Sequence, residues 1–142
     1  MIDKRFNLLL IEDSSNDAIL LQEELKETSD THFNVEWVDR MSKGLGRLAE
    51  GGIDAVLLDL SLPDSRGVDS FKKVYKQAPD VPIILLTGLD DEKLAVEVLQ
   101  MGAQDYLVKH NIDGNTLGRS IRYAIERHRL SAALEESEQR FR

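Results

Sequence analysis

The sequence predicts an α/β fold, a five-stranded parallel sheet with helices on both faces and an extended C-terminal helix. Three observations predict it. Short apolar runs at residues 6–11, 55–58 and 82–86 read as fully buried strands. Segments with apolar residues at helical spacing separate the strands, so strand and helix alternate five times. The central run Ala55-Val-Leu-Leu-Asp59-Leu-Ser-Leu-Pro63 leads straight into one carboxylate. In open α/β sheets the carboxyl edge of the strands is where ligands bind.

Taken in order, residues 6–11 form the first strand and end in Glu12-Asp13. Ser14-Ser-Asn-Asp17 is a capping-box-like start, and Ile19, Leu20 and Leu25 recur at helical spacing, which predicts a helix over 15–28. His32-Phe-Asn-Val-Glu-Trp-Val38 alternates apolar and polar, the mark of a half-buried edge strand. Residues 42–50, with Leu45 and Leu48, make a short helix that stops at Gly51-Gly52. After the strand ending at Asp59, Pro63 blocks continuation and Gly67 marks a turn or helix entry. A helix through Val68, Phe71, Val74 and Tyr75 stops before Pro79. Residues 82–87 are a buried strand ending in Thr87. Asp90 or Asp91 caps a helix carrying Leu94, Val98 and Leu99, which ends at Gly102. Residues 105–109 are the last strand, and Asp113 caps a long closing helix. Right-handed crossovers leave few topologies, and the flavodoxin-like order 2-1-3-4-5 leads.

Composition narrows the function. The 142 residues are 42% hydrophobic and 31% charged, a globular profile of one ordinary domain. No apolar run approaches membrane-span length, and residues 1–5 lead into no signal core, so a cytoplasmic protein is expected. There is no cysteine and only three scattered histidines, which excludes disulfides and thiolate metal sites and makes zinc a poor fit. The net charge of −8 is uneven. Residues 1–116 hold 12 Lys+Arg against 22 Asp+Glu, and residues 117–142 hold 6 against 4. An acidic body argues against contact with a nucleic-acid backbone. Arg119, Arg122, Arg127 and Arg129 fall on one helix and fit a solvated or protein-docking face.

In the 2-1-3-4-5 order the first and third strands are neighbours, so Glu12, Asp13 and Asp59 converge at the topological switch point. Like charges about 4 Å apart repel by about 4 kcal/mol at an effective dielectric near 20. Such a cluster needs a raised pKa or a cation, and a few hard oxygen ligands with room for water suit Mg²⁺. Thr87 and Lys109, at the ends of the fourth and fifth strands, offer a hydroxyl and an ammonium suited to phosphoryl oxygens. Taken singly, each of these residues has a plainer role as a cap or rim residue; together they fall on one sheet edge.

The ordered set Ile-Glu12-Asp13, Leu-Leu-Asp59-Leu-Ser-Leu-Pro63 with Gly67, Leu-Leu-Thr87-Gly and Asp-Tyr106-Leu-Val-Lys109 resembles the receiver domain of bacterial response regulators, of the chemotaxis-regulator type. The resemblance covers roughly residues 5–128. It implies that Asp59 accepts a phosphoryl group from a phosphohistidine on a histidine kinase or histidine phosphotransfer protein. It implies that Glu12, Asp13, Asp59 and the backbone carbonyl of Ser61 hold Mg²⁺. Lys109 would pair with the phosphoryl oxygens, Thr87 would move to bond them, and Tyr106 would turn inward behind it. The resemblance implies a phosphoacceptor in a phosphorelay that assists its own phosphorylation and dephosphorylation and is not an enzyme. One departure stands out: the family carries proline after the strand-five lysine, and here His110 follows. A non-proline cis bond costs about 2.5–4 kcal/mol, which leaves the Lys109–His110 bond trans or strained. Two alternatives stay open: a degenerate receiver acting as a dimerisation or scaffold module, and a haloacid-dehalogenase-type phosphatase. The second wants an acid two residues after the nucleophile, where Ser61 stands.

The closing helix runs past the end of a compact receiver. Leu117, Ile121 and Ile125 form the stripe that packs on the sheet, whereas Leu130, Leu134 and Phe141 lie nearly opposite. Leu130, Ala133, Leu134, Ser137 and Phe141 fit a short coiled-coil seam. This predicts a receiver over 1–128 and a helical extension over 129–142 that serves a homodimer. The closing Glu-Ser-Glu-Gln-Arg-Phe-Arg resembles the lead-in to a PAS sensor domain, which would make the chain one module of a larger signalling protein.

Overall fold

The computed structural model describes residues 4–26, 31–110 and 113–140. Their elements run β1 (Lys4–Ile11), α1 (Ser15–Lys26), β2 (Thr31–Val38), α2 (Met41–Ala49) and β3 (Ala55–Asp59). A two-residue hairpin, β4 (Ser61–Leu62) and β5 (Ser65–Arg66), leads into α3 (Val68–Gln77). Then come β6 (Ile83–Thr87), a 3-10 turn (Leu89–Asp91), α4 (Glu92–Met101), β7 (Asp105–Val108) and α5 (Gly114–Arg140). The main sheet has the order β2-β1-β3-β6-β7 and is parallel throughout. With the hairpin set aside, that is the expected 2-1-3-4-5.

Side chains alternate across this sheet, so it carries two cores. Leu9, Ile11, Val56, Leu58, Ile83 and Leu85 face α2, α3 and α4, where Leu48, Phe71, Val74 and Val98 meet them. Leu8, Leu10, Leu57, Ile84 and Leu86 face α1 and α5, where Leu21, Leu25, Leu117, Ile121 and Ile125 meet them. The apolar runs read as continuous because both faces are covered. The register places Ile11 beside Leu58, Asp59 beside Leu86, and Thr87 beside Val108. Glu12, Asp59, Thr87 and Lys109 therefore all leave the sheet at one edge.

Several local expectations are corrected. In α1 the buried stripe is Ala18, Leu21 and Leu25, while Ile19 and Leu20 are 52% and 60% exposed. The positions i, i+3 and i+7 face the core, and small Ala18 lets the helix approach the sheet. Asp91 stands at the N-cap of α4 but makes no side-chain cap bond; a 3-10 turn feeds the helix instead. Tyr75 is exposed and tilts against Phe71 with ring centroids 5.5 Å apart. Gly67 enters α3 at φ 63°, a left-handed conformation that L side chains disfavour, and its N–H donates to Leu60 O at 2.7 Å. The arginines of α5 are partly spoken for. Arg127 pairs with Asp105 at 3.3 Å, and Arg129 pairs with Asp54 at 2.8 Å and lies over the Phe6 ring. No helix among the described residues is long and apolar enough to cross a membrane.

The start of α2 is held from a distance. Asp64, in the hairpin turn after the strand that carries Asp59, accepts the N–H of Met41 at 2.7 Å and of Ser42 at 3.0 Å. Burial alone would raise its pKa, but these two donors hold the carboxyl below the usual range. Asp64→Ala is expected to destabilise the fold by about 1 kcal/mol, read by urea unfolding, as loss of an N-cap does. Asp64→Asn, which keeps an acceptor oxygen, is expected to retain most of that.

Candidate functional site

The carboxyl edge of β1 and β3 gathers three acids. Glu12 is 1% exposed, Asp59 is 7% exposed, and Asp13 faces solvent. One carboxylate oxygen from each of Glu12, Asp13 and Asp59 lies within 4.8 Å of the others. Glu12 is fixed at its backbone by the last two residues of β2. Its N–H donates to Val38 O at 3.1 Å, and its carbonyl accepts the indole N–H of Trp37 at 2.7 Å. Asp59 Oδ1 accepts the backbone N–H of Ser61 at 2.9 Å.

Lys109 faces the acids from β7. Its Nζ lies 2.5 Å from Glu12 Oε1, 3.1 Å from Asp59 Oδ2 and 3.4 Å from Asp17 Oδ2. Its own N–H donates to Thr87 O at 2.9 Å, which ties it to β6. The described residues include no cis peptide, so the Lys109–His110 bond is trans. Thr87 is buried, and its hydroxyl donates to Leu107 O at 3.4 Å, toward β7 and away from Asp59. Tyr106 is partly buried against the core on the α2–α4 face.

This crowding shifts protonation. Burial first, and then the neighbouring Asp59 carboxylate, push Glu12 from 4.5 up to about 8. Burial opposes the charge on Lys109, but Glu12 and Asp59 more than offset it and hold the ammonium above its usual range. Three carboxyl groups this close repel one another when ionised, and a proton or a cation relieves that repulsion. Carboxylate oxygens of this number and hardness fit a Mg²⁺ ion that keeps several waters. Nothing in the sequence marks Asp17 or Trp37 for this site. Asp17 read as a helix-start residue and Trp37 as part of an edge strand; only the register of β1 with β2 places Trp37 beside Glu12.

A cavity of about 200 Å³ opens beside Lys109, bordered by Asp17, Leu20, Glu24, His110 and Leu117. Its wall includes Glu12 and Lys109 from the acid edge.

Comparison with known proteins places these features in a family. The response regulator receiver domain family matches residues 8–122. The swarming motility regulation protein RssB of Serratia marcescens is 35% identical over 103 residues, which cover 72% of this chain and 46% of that protein. Regulatory protein LuxO of Vibrio cholerae is 36% identical over 101 residues, 70% of this chain and 21% of that protein. The chain thus spans less than half the length of these relatives. The crystal structure of a response regulator receiver domain protein from Clostridium thermocellum superposes with a TM-score of 0.76 at 27% identity, covering 88% of this chain and 98% of that one. Full-length FixJ from B. japonicum gives 0.81 at 26% identity, covering 96% and 65%. A parallel sheet of this order, an acid cluster at its switch point and a family match over most of the length agree: the chain belongs to the response regulator receiver domain family of two-component systems.

Proposed function

We propose that this domain is a phosphoacceptor that takes a phosphoryl group onto Asp59 from a phosphohistidine of a histidine kinase or histidine phosphotransfer protein. The observation that carries the reading is the juxtaposition of the Glu12, Asp13 and Asp59 carboxylates, with Lys109 Nζ 3.1 Å from Asp59. In the transfer the P–N bond breaks, a carboxylate oxygen of Asp59 forms the new P–O bond, and the imidazole keeps the electron pair. Such a step needs in-line positioning and charge neutralisation more than covalent help. Mg²⁺ held by Glu12, Asp13, Asp59 and the Ser61 carbonyl would supply part of that neutralisation. Lys109 supplies the rest, as an ammonium already directed at Asp59.

The acyl phosphate adds about −1.5 to −2 charges and three acceptor oxygens. Thr87 is the switch donor in this reading. Its present bond to Leu107 is long, so little is lost when the hydroxyl turns toward phosphate. Tyr106, next to Leu107 on β7, follows into the vacated space and alters the surface around α4.

The test uses acetyl phosphate with Mg²⁺. The intact mass is expected to rise by one phosphoryl group that hydroxylamine removes, mapped to the peptide containing Asp59. A label elsewhere overturns the assignment.

Residues 129–142 are proposed as an extension that joins two copies and leads to a following, PAS-like module. Leu130 and Leu134 are 75% and 61% exposed on α5, and Phe141 lies outside the described residues. Sedimentation is expected to show a concentration-dependent dimer that Leu130→Glu with Leu134→Glu abolishes. A monomer at all concentrations, phosphorylated or not, removes this role from the tail.

A further inference from the structure

The first turn of α1 is half of a capping box. The N–H of Asp17 donates to Ser14 Oγ at 3.2 Å. In the complete motif the acid at this position returns its carboxylate to the N–H of the cap residue. Here the N–H of Ser14 instead donates to Glu12 Oε2 at 3.4 Å. The Asp17 carboxylate is thereby released from the box, and its Oδ2 lies 3.4 Å from Lys109 Nζ.

An ammonium offers three N–H donors. The three oxygens around Lys109 Nζ belong to Glu12, Asp59 and Asp17. The first two also belong to the acid cluster, together with Asp13; Asp17 does not. A divalent cation in that cluster would draw on the same Glu12 and Asp59 carboxylates that now hold Lys109. A lysine side chain has four rotatable bonds, and without a partner it disperses among rotamers. Asp17 is fixed on a helix, partly shielded, and outside the competition.

We infer that Asp17 is a positioning residue for Lys109, keeping the ammonium directed at Asp59 while a divalent cation engages the other two acids. This rests on the phosphoacceptor reading for its purpose, but the contact can be tested without it.

The contact is read by a double-mutant cycle of Asp17→Asn and Lys109→Met in urea unfolding, run with and without saturating Mg²⁺. The two substitutions are expected to be non-additive, and to stay so with Mg²⁺ present. Additivity in Mg²⁺ overturns the inference, whether or not the protein is ever phosphorylated. The purpose is read by labelling with acetyl phosphate. Asp17→Asn is expected to slow it roughly tenfold, a misplacement effect. Its Mg²⁺ affinity, followed by Trp37 fluorescence, is expected to stay within about twofold of the parent, and Asp17→Glu to recover much of the rate. In the Lys109→Met background Asp17→Asn is expected to do nothing further. An undiminished rate in Asp17→Asn, or an equal loss on top of Lys109→Met, overturns the positioning role. Absence of label in the parent protein refutes the phosphoacceptor reading and leaves the cycle to decide the contact.

Discussion

Asp59→Asn is expected to take up no phosphoryl group from acetyl phosphate or from a phosphohistidine donor, at any Mg²⁺ concentration, while keeping the fold. The amide is nearly isosteric and retains an oxygen for the Ser61 N–H that now meets Asp59 Oδ1 at 2.9 Å. What it lacks is the anionic oxygen that forms the bond to phosphorus. A fold defect is therefore a poor explanation for lost labelling in this variant, and circular dichroism beside the mass measurement separates the two. The substitution also carries an internal control. The Asp59 carboxylate is, after burial, the main reason Glu12 is pushed up to about 8. Removing that charge is expected to lower the Glu12 titration midpoint, seen in its carboxyl ¹³C shift. Full labelling of Asp59→Asn would move the phosphoacceptor elsewhere.

Much of this was legible in the sequence, for identifiable reasons. Buried parallel strands advertise themselves as unbroken apolar runs because neither face meets water, so β1, β3 and β6 fell close to their expected limits. The polar residues that end those runs stand at the sheet edge by geometry alone, which is why the sequence by itself gathers Glu12, Asp59, Thr87 and Lys109 at one edge. What escaped was long-range or rotational. The phase of α1 departs from the apolar pattern because Ile19 and Leu20 are more apolar than Ala18, yet closeness to the sheet favours the smaller residue. Asp64 capping α2 across 23 residues of chain leaves no local signature. Neither does Trp37 donating to the Glu12 carbonyl, which depends on strand register. Asp17 reads as a capping-box residue, and its contact with Lys109 joins positions 92 residues apart, which leaves no local signature.

The apparent affinity for Mg²⁺ is expected to climb steeply with pH up to about 8 and then level off. The sign follows from Glu12. Its carboxyl titrates at 4.5 in an ordinary setting and near 8 in the metal-free fold. Between those values the folded chain holds a proton that the unfolded chain has lost. This group's contribution to stability is thus fully present below pH 4.5 and disappears as pH rises through about 8, so the metal-free protein is weakened toward alkaline pH. A cation reverses the balance, because it binds the ionised carboxylate and must displace that proton at lower pH. One proton displaced means on the order of 20-fold weaker binding at pH 6.5 than at pH 8.5. The gain in melting temperature on adding Mg²⁺ is expected to widen over the same interval. Trp37 is the single tryptophan, and its indole N–H is bonded to the Glu12 carbonyl, so its emission reports the titration from within the site. Glu12→Gln is expected to bind Mg²⁺ more weakly at pH 8.5 and to lose the slope. A parent protein whose affinity is flat across these pH values would mean that Glu12 reaches the metal already ionised, and that the charge crowding inferred at this edge is relieved by some other group.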